Sequence, residues 1–245
     1  MQIHKVTYPV SALQAMPKAH LSAFLLLGHF LNEANWLQKL ILYGTQDESG
    51  NEAEVQARLA LSLMLGKVFA AKIHEGWVRL TTGELGATVA GLTLSPGIER
   101  IRADLKEHLR ADSILHKIRR DLAFHYPTSL SLEGLPNIAQ GDVALYLTPH
   151  SGDTLSLISE LSAAAELNAI AGTNQVGESL GAVLDEVVKV SGLYSEFLHA
   201  TLVALIGKSL DTHPDDEIIG NEEAMPLADV RLRFFVTPPG ASTEA

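Results

Sequence analysis

Two stretches of this chain carry apolar residues at helical spacing over more turns than any other structure can accommodate. Between Leu21 and Leu42 only Glu33 and Lys39 are charged, within a helix expected from about Pro17 to Leu42 and stopped by Tyr43-Gly44. A segment apolar nearly all round must be surrounded by other elements, so this helix should be central. From about Glu178 to Lys208, the residues Val183, Val187, Tyr194, Leu198, Leu202 and Leu205 recur on one side of a second long helix.

The remaining elements follow the same period. Asn51 and Glu54 have the spacing of a capping box, and they open a helix with the stripe Val55, Leu59, Leu63, Gly66, Ala70, Ile73 and Trp77, ended by Thr81-Thr82-Gly83. Thr81 to Leu94 is rich in Gly and Thr and reads as a loop or a short hairpin. Ser95-Pro96 is a strong helix start. The stripe Ile98, Ile101, Leu105, Leu109 continues past a break near Ala111-Asp112 into Leu115, Ile118 and Leu122, with Pro127 as the stop. Another helix is expected from about Asp153 to Ala171, and Val143 to Leu147 could form a short strand. The expectation is an all-α bundle of about five main helices with at most short peripheral strands. Residues 1–210 should form one helical domain. Residues 211–245 read as an acidic solvated connector (Asp211 to Glu223), an edge-strand candidate (Asp229 to Val236) and a disordered tail.

Composition narrows the function classes. The net charge of −11 and the pI of about 5.3 oppose a broad nucleic-acid or anionic-membrane surface, though not a small basic site. There is no cysteine, which removes disulfides, thiolate metal sites and cysteine nucleophiles. The greasiest run, Leu21 to Leu31, contains His29 and is shorter than the ~20 residues of a membrane span. With no apolar leader at the N-terminus, a soluble cytoplasmic protein is expected.

Chemistry concentrates in Arg119-Arg120-Asp121-Leu122-Ala123-Phe124-His125-Tyr126-Pro127. If the helix runs through this stretch, Asp121 and His125 are one turn apart on one flank, where the acid could orient the imidazole and raise its basicity. Arg120 falls on the opposite face beside Phe124. Metal-free cleavage of RNA needs a base for the 2′-hydroxyl, an acid for the leaving oxygen and a cation for the phosphorane. Histidine and arginine supply these roles, and a two-fold dimer would supply a second histidine. The competing reading is structural: Arg120 and Asp121 as ordinary surface charges, and His125 as a helix C-terminal residue favoured by the dipole.

The run Ile118 to Tyr126, with Arg120, the polar Asp121 and then His125, resembles the arginine–polar–histidine motif of HEPN domains. The resemblance implies an all-α, usually dimeric domain, many relatives being metal-independent ribonucleases and others non-catalytic binding or scaffold modules. It implies Arg120 and His125 as the catalytic pair, Asp121 as the supporting polar residue, and Arg119 and Tyr126 as flanking substrate-binding residues. It implies no cofactor. Two positions depart from the pattern. Pro127 stands where one subset of the family carries a modified tyrosine, and an acid stands where asparagine is frequent. The partners implied are a second copy of the chain, an RNA substrate, or another protein.

Other candidates are weaker. Ten histidines invite a metal, but no paired ligand spacing appears; His108 and His116 are two turns apart, with no third ligand in view. His29 and Glu33, four apart near Trp36, read either as a buried hydrogen-bonded pair or as a polar lining turned toward Arg120. Gly86, Gly91 and Gly97 lack the spacing of a phosphate loop, and Thr154, Ser156 and Ser159 lack a nucleophile elbow.

Overall fold

A computed structural model describes residues 2–45, 51–123, 144–148, 153–173, 176–210, 215–221, 229–230 and 233–235. The order of elements is β1 (Gln2–Thr7), α1 (Val10–Gln14), α2 (Lys18–Thr45), α3 (Glu52–Thr81), α4 (Gly83–Ala90), α5 (Pro96–His108), α6 (Ile114–Asp121), β2 (Leu145–Tyr146), β3 (Leu155–Ser156), α7 (Leu157–Ala171), α8 (Val176–Ser209) and β4 (Asp215–Asn221). The fold is all-α with two small antiparallel ladders, β1 with β4 and β2 with β3.

Local sequence explains where the helices begin. The Asn51 side chain accepts from the Glu54 amide at 3.0 Å, satisfying one of the free N–H groups at the start of α3. Ser113 does the same for His116 at 3.2 Å and opens α6. The expected helix from Ser95 to Pro127 is therefore two helices, with the turn between them at the anticipated break. It also ends early: the amides of Leu122 and Ala123 both bond the Ile118 carbonyl, and α6 stops at Asp121.

Two glycine-containing segments differ from expectation, while α3 ends at Thr81 as expected. Gly44 does not stop α2, which runs on to Thr45. A Cβ at Gly44 would lie 2.6 Å from the Ser62 hydroxyl of α3, so this glycine marks a close helix–helix approach. Thr81 to Leu94 is neither loop nor hairpin but contains α4, whose Val89 is fully buried beside the Leu92 that follows it. Gly83 begins α4 at φ +64°, a left-handed conformation that glycine adopts without strain.

The core lies where α2, α3 and α8 meet, with α4 to α7 packed around them. Phe69, Ile73, Trp77 and Leu80 of α3 face Val183, Val190, Phe197 and Leu198 of α8 in one continuous cluster. The expected stripe of α3 holds from Leu63 onward but fails at its start. Val55 and Leu59 are exposed, while Ala57 and Ala60 turn inward to a second cluster with Leu155, Tyr146, Phe234 and Phe235. The 178–209 part of α8 is long and apolar enough to cross a membrane; here its apolar side is core, packed against α2, α3, α5 and α7.

The chain ends meet. Residues 215–221 of the acidic stretch, expected to be a solvated connector, form β4 and pair antiparallel with β1, Thr7 opposite Asp215 and Gln2 opposite Asn221. The edge-strand candidate is not a strand in its described residues. Instead the amides of Phe234 and Phe235 donate to the buried carboxylate of Glu54 at 3.2 and 3.3 Å. The tail from Pro238 lies outside the described residues.

Candidate functional site

Helix α6 is anchored by two fully buried residues, Leu115 and Ile118, one turn apart. Opposite that anchor it presents Arg119, Arg120 and Asp121 at its C-terminal end. Arg120 is 58% exposed. Its Nε and Nη2 donate to Oδ1 and Oδ2 of Asp121, each at 2.6 Å. This fork, with the Asp121 charge, holds the guanidinium above its ordinary pKa. Arg119 reaches the other way. Its Nε donates to Glu75 of α3 at 2.6 Å.

The expected one-turn pairing of Asp121 with His125 required helix through residue 125. With α6 ending at Asp121, helical geometry no longer supplies that pairing; among the described residues the Asp121 carboxylate binds the adjacent guanidinium. Phe124, His125 and Tyr126 lie outside the described residues. Of the five expected site residues, the structure places Arg119, Arg120 and Asp121 together on one exposed helix end.

Beside them lies a pair of histidines from different helices. His74 Nε2 of α3 and His116 Nδ1 of α6 are 3.0 Å apart, with ring centroids at 4.8 Å in an edge-to-face arrangement. His74 is buried, and its Nδ1 has no hydrogen-bond partner among the described residues. Burial pushes the His74 pKa down, and the neighbouring His116 and Arg119 add to that, against Glu75. The expected sharing of a face by His108 and His116 does not occur, since they stand on separate helices. His108 binds Glu186 of α8 at 2.7 Å. Among the described residues no three metal-ligating side chains converge.

The histidine pair carries a pH prediction. A folded-state pKa below the ordinary imidazole value means that the unfolded chain binds the extra proton. Stability from this group is thus complete above about pH 6.5 and declines as pH falls below it. Urea midpoints measured at about pH 7.5 and about pH 5.5 should drop further for the wild type than for His74→Gln. Equal drops would remove His74 from the acid limb.

A cavity of about 440 Å³ opens between α2 and α3. His29 and Glu33 of α2 line it, so the buried-pair reading of these two residues was wrong: His29 is 63% exposed and 3.6 Å from Glu33. Glu33 instead accepts from Lys72 of α3 at 2.7 Å. Glu75, the partner of Arg119, lines the same cavity. The polar lining therefore reaches the motif helix through Arg119 rather than Arg120.

Lys72, His74, Glu75 and Arg79 were not picked out from the sequence. One signal was available: Lys72, Glu75 and Arg79 recur three and four apart, a charged stripe on a helix that is otherwise buried nearly all round. No protein-family model, curated protein or solved structure matches the chain.

Proposed function

We propose that this chain is a HEPN-like, metal-independent endoribonuclease acting as a homodimer on RNA. The observation that carries the reading is Arg120, exposed at the end of a helix anchored by Leu115 and Ile118 and followed directly in sequence by the His125 segment. In this reading Arg120 stabilises charge on the phosphorane, His125 moves the proton, and Arg119 and Tyr126 flank the strand. The fork to Asp121 does not retire Arg120. An exposed ion pair adds little net stability, so a phosphodiester can displace the carboxylate.

A second reading, a HEPN-like interaction or scaffold module without catalysis, is favoured by a different observation. Leu25 and Trp36 of α2 are exposed large apolar residues, Trp36 at 65%, on a protein of net charge −11. The two readings separate in one experiment. Purified full-length protein is incubated with a mixed single-stranded RNA in EDTA, beside His125→Ala. Cleavage by the wild type that is lost in the variant, with unchanged circular dichroism, supports the nuclease. Absence of cleavage, or cleavage that survives the substitution, transfers the assignment to the module.

A further inference from the structure

A second cavity, of about 520 Å³, opens between α3 and α5, each of which packs on α8. Trp77 and Ala103 give it an apolar surface, and Trp77 is backed by Phe197 of α8, with ring centroids 5.9 Å apart. Thr81 lies on the same lining. Its hydroxyl donates to the Trp77 carbonyl at 2.9 Å and so has no proton left for a ligand. Leu105 of α5 is fully buried, which stops that helix from rolling. The side chains at 102 and 106, on either flank of Leu105, therefore keep their place on the cavity.

The charges on this lining are Arg102, Lys106 and Glu99. Arg102 and Lys106 are one turn apart on α5, close enough for both heads to reach one anion. Lys106 has no hydrogen bond or ion pair to any described residue. Arg102 is half-buried and stands 3.7 Å from the Glu99 carboxylate, beyond hydrogen-bond reach. Among the described residues its N–H donors are therefore open. The α2–α3 cavity differs, since both of its acids are bonded to cations, Glu33 to Lys72 and Glu75 to Arg119. The α3–α5 lining holds two cations against one acid, with unfilled donors beside an apolar surface. A volume of about 520 Å³ suits a small molecule.

We propose that the α3–α5 cavity binds a small aryl phosphomonoester, its phosphate between Arg102 and Lys106 and its ring against Trp77 and Ala103. Two cations match a dianion: the guanidinium forks onto two phosphate oxygens and the ammonium meets the third as a point charge. A carboxylate fits worse, because its single charge leaves one cation unmatched. Inorganic phosphate fits worse, because it leaves the apolar surface in water. Glu99 is exposed, and an exposed ion pair adds little, so the phosphate displaces it from Arg102. This site is independent of the ribonuclease reading and uses none of its residues.

The test is calorimetric titration of the full-length protein with phenyl phosphate, beside benzoate, phenol and inorganic phosphate. The same titration is followed by fluorescence in a Trp36→Phe background, which leaves Trp77 as the single tryptophan. One-site saturation by phenyl phosphate is expected with Kd of about 1 mM or tighter, with a matching change in Trp77 emission. Arg102→Met and Lys106→Met should each weaken binding at least about five-fold. Phenol should bind at least about ten-fold more weakly, and benzoate and inorganic phosphate at least about three-fold. Lys106 is exposed, so its variant tests the site even if Arg102→Met perturbs α5. Failure of phenyl phosphate to saturate overturns the proposal, and so does saturation that leaves Trp77 emission unchanged. Wild-type affinity in both variants overturns it too, as does binding of any of the three comparison ligands as tight as that of phenyl phosphate.

Discussion

Arg120→Ala is expected to lower the rate of RNA cleavage in EDTA by roughly 10²–10³-fold, the usual effect of removing one preorganised group that stabilises developing negative charge. The argument rests on its surroundings. Arg120 stands at the end of α6, a helix with no freedom to turn, because Leu115 and Ile118 are fully buried and Arg119 is tied to Glu75 across the α3 contact. Its guanidinium is exposed and, among the described residues, binds the carboxylate of Asp121. Asp121→Asn should therefore change the rate by only a few-fold, upward if the carboxylate competes with phosphate for the fork. Rates on a labelled single-stranded RNA, with circular dichroism to confirm folding, decide both points. Wild-type cleavage by Arg120→Ala would remove this residue from the reaction.

Phe197→Ala should cost about 3–5 kcal/mol of folding stability. Phe197 is 1% exposed and meets Trp77 edge-to-face, with ring centroids 5.9 Å apart, at the contact between α3 and α8. Those two helices supply half of the largest buried side chains among the described residues, so a cavity there cannot collapse without separating them. Trp36→Ala is the control, expected to change stability by no more than about 0.5 kcal/mol. Trp36 is also an aromatic on a long helix, but its ring faces solvent with only the Lys39 ammonium over it. Urea denaturation monitored by far-ultraviolet circular dichroism measures both. Comparable losses would mean that the ranking of the two sites by burial is wrong.

Which of these residues could be read in advance depended on the range of the forces that place them. The starts of α3 and α5 were legible because Asn51 and Ser95 act on amides three residues away; for α6 only the break near Ala111-Asp112 was read, and the cap at Ser113 was not. Helix α4 was not, because its glycines and threonines have weak helix propensity and it is held by the burial of Val89 against the core. The N-terminal strand was missed, and the acidic stretch was read as connector, because aspartates and glutamates have no strand preference of their own. Their partner lies two hundred residues away in β1. At the site, Arg120 and Asp121 were found as neighbours in sequence, while the partner expected for Asp121, His125, lies outside the described residues. Continued helical geometry was assumed past a residue where the helix ends.

The chain by itself thus determined the all-α class and the places of the long helices. Each of these depends on period, capping and residue type within a few turns. Tertiary structure alone decided that Glu75 receives Arg119 across 44 positions, that His74 meets His116 across 42, and that the Tyr194 hydroxyl lies against Gly76. These contacts depend on how α3 packs against α6 and α8. That packing is set by the summed fit of many weak apolar contacts, of which no single stretch of sequence carries a record.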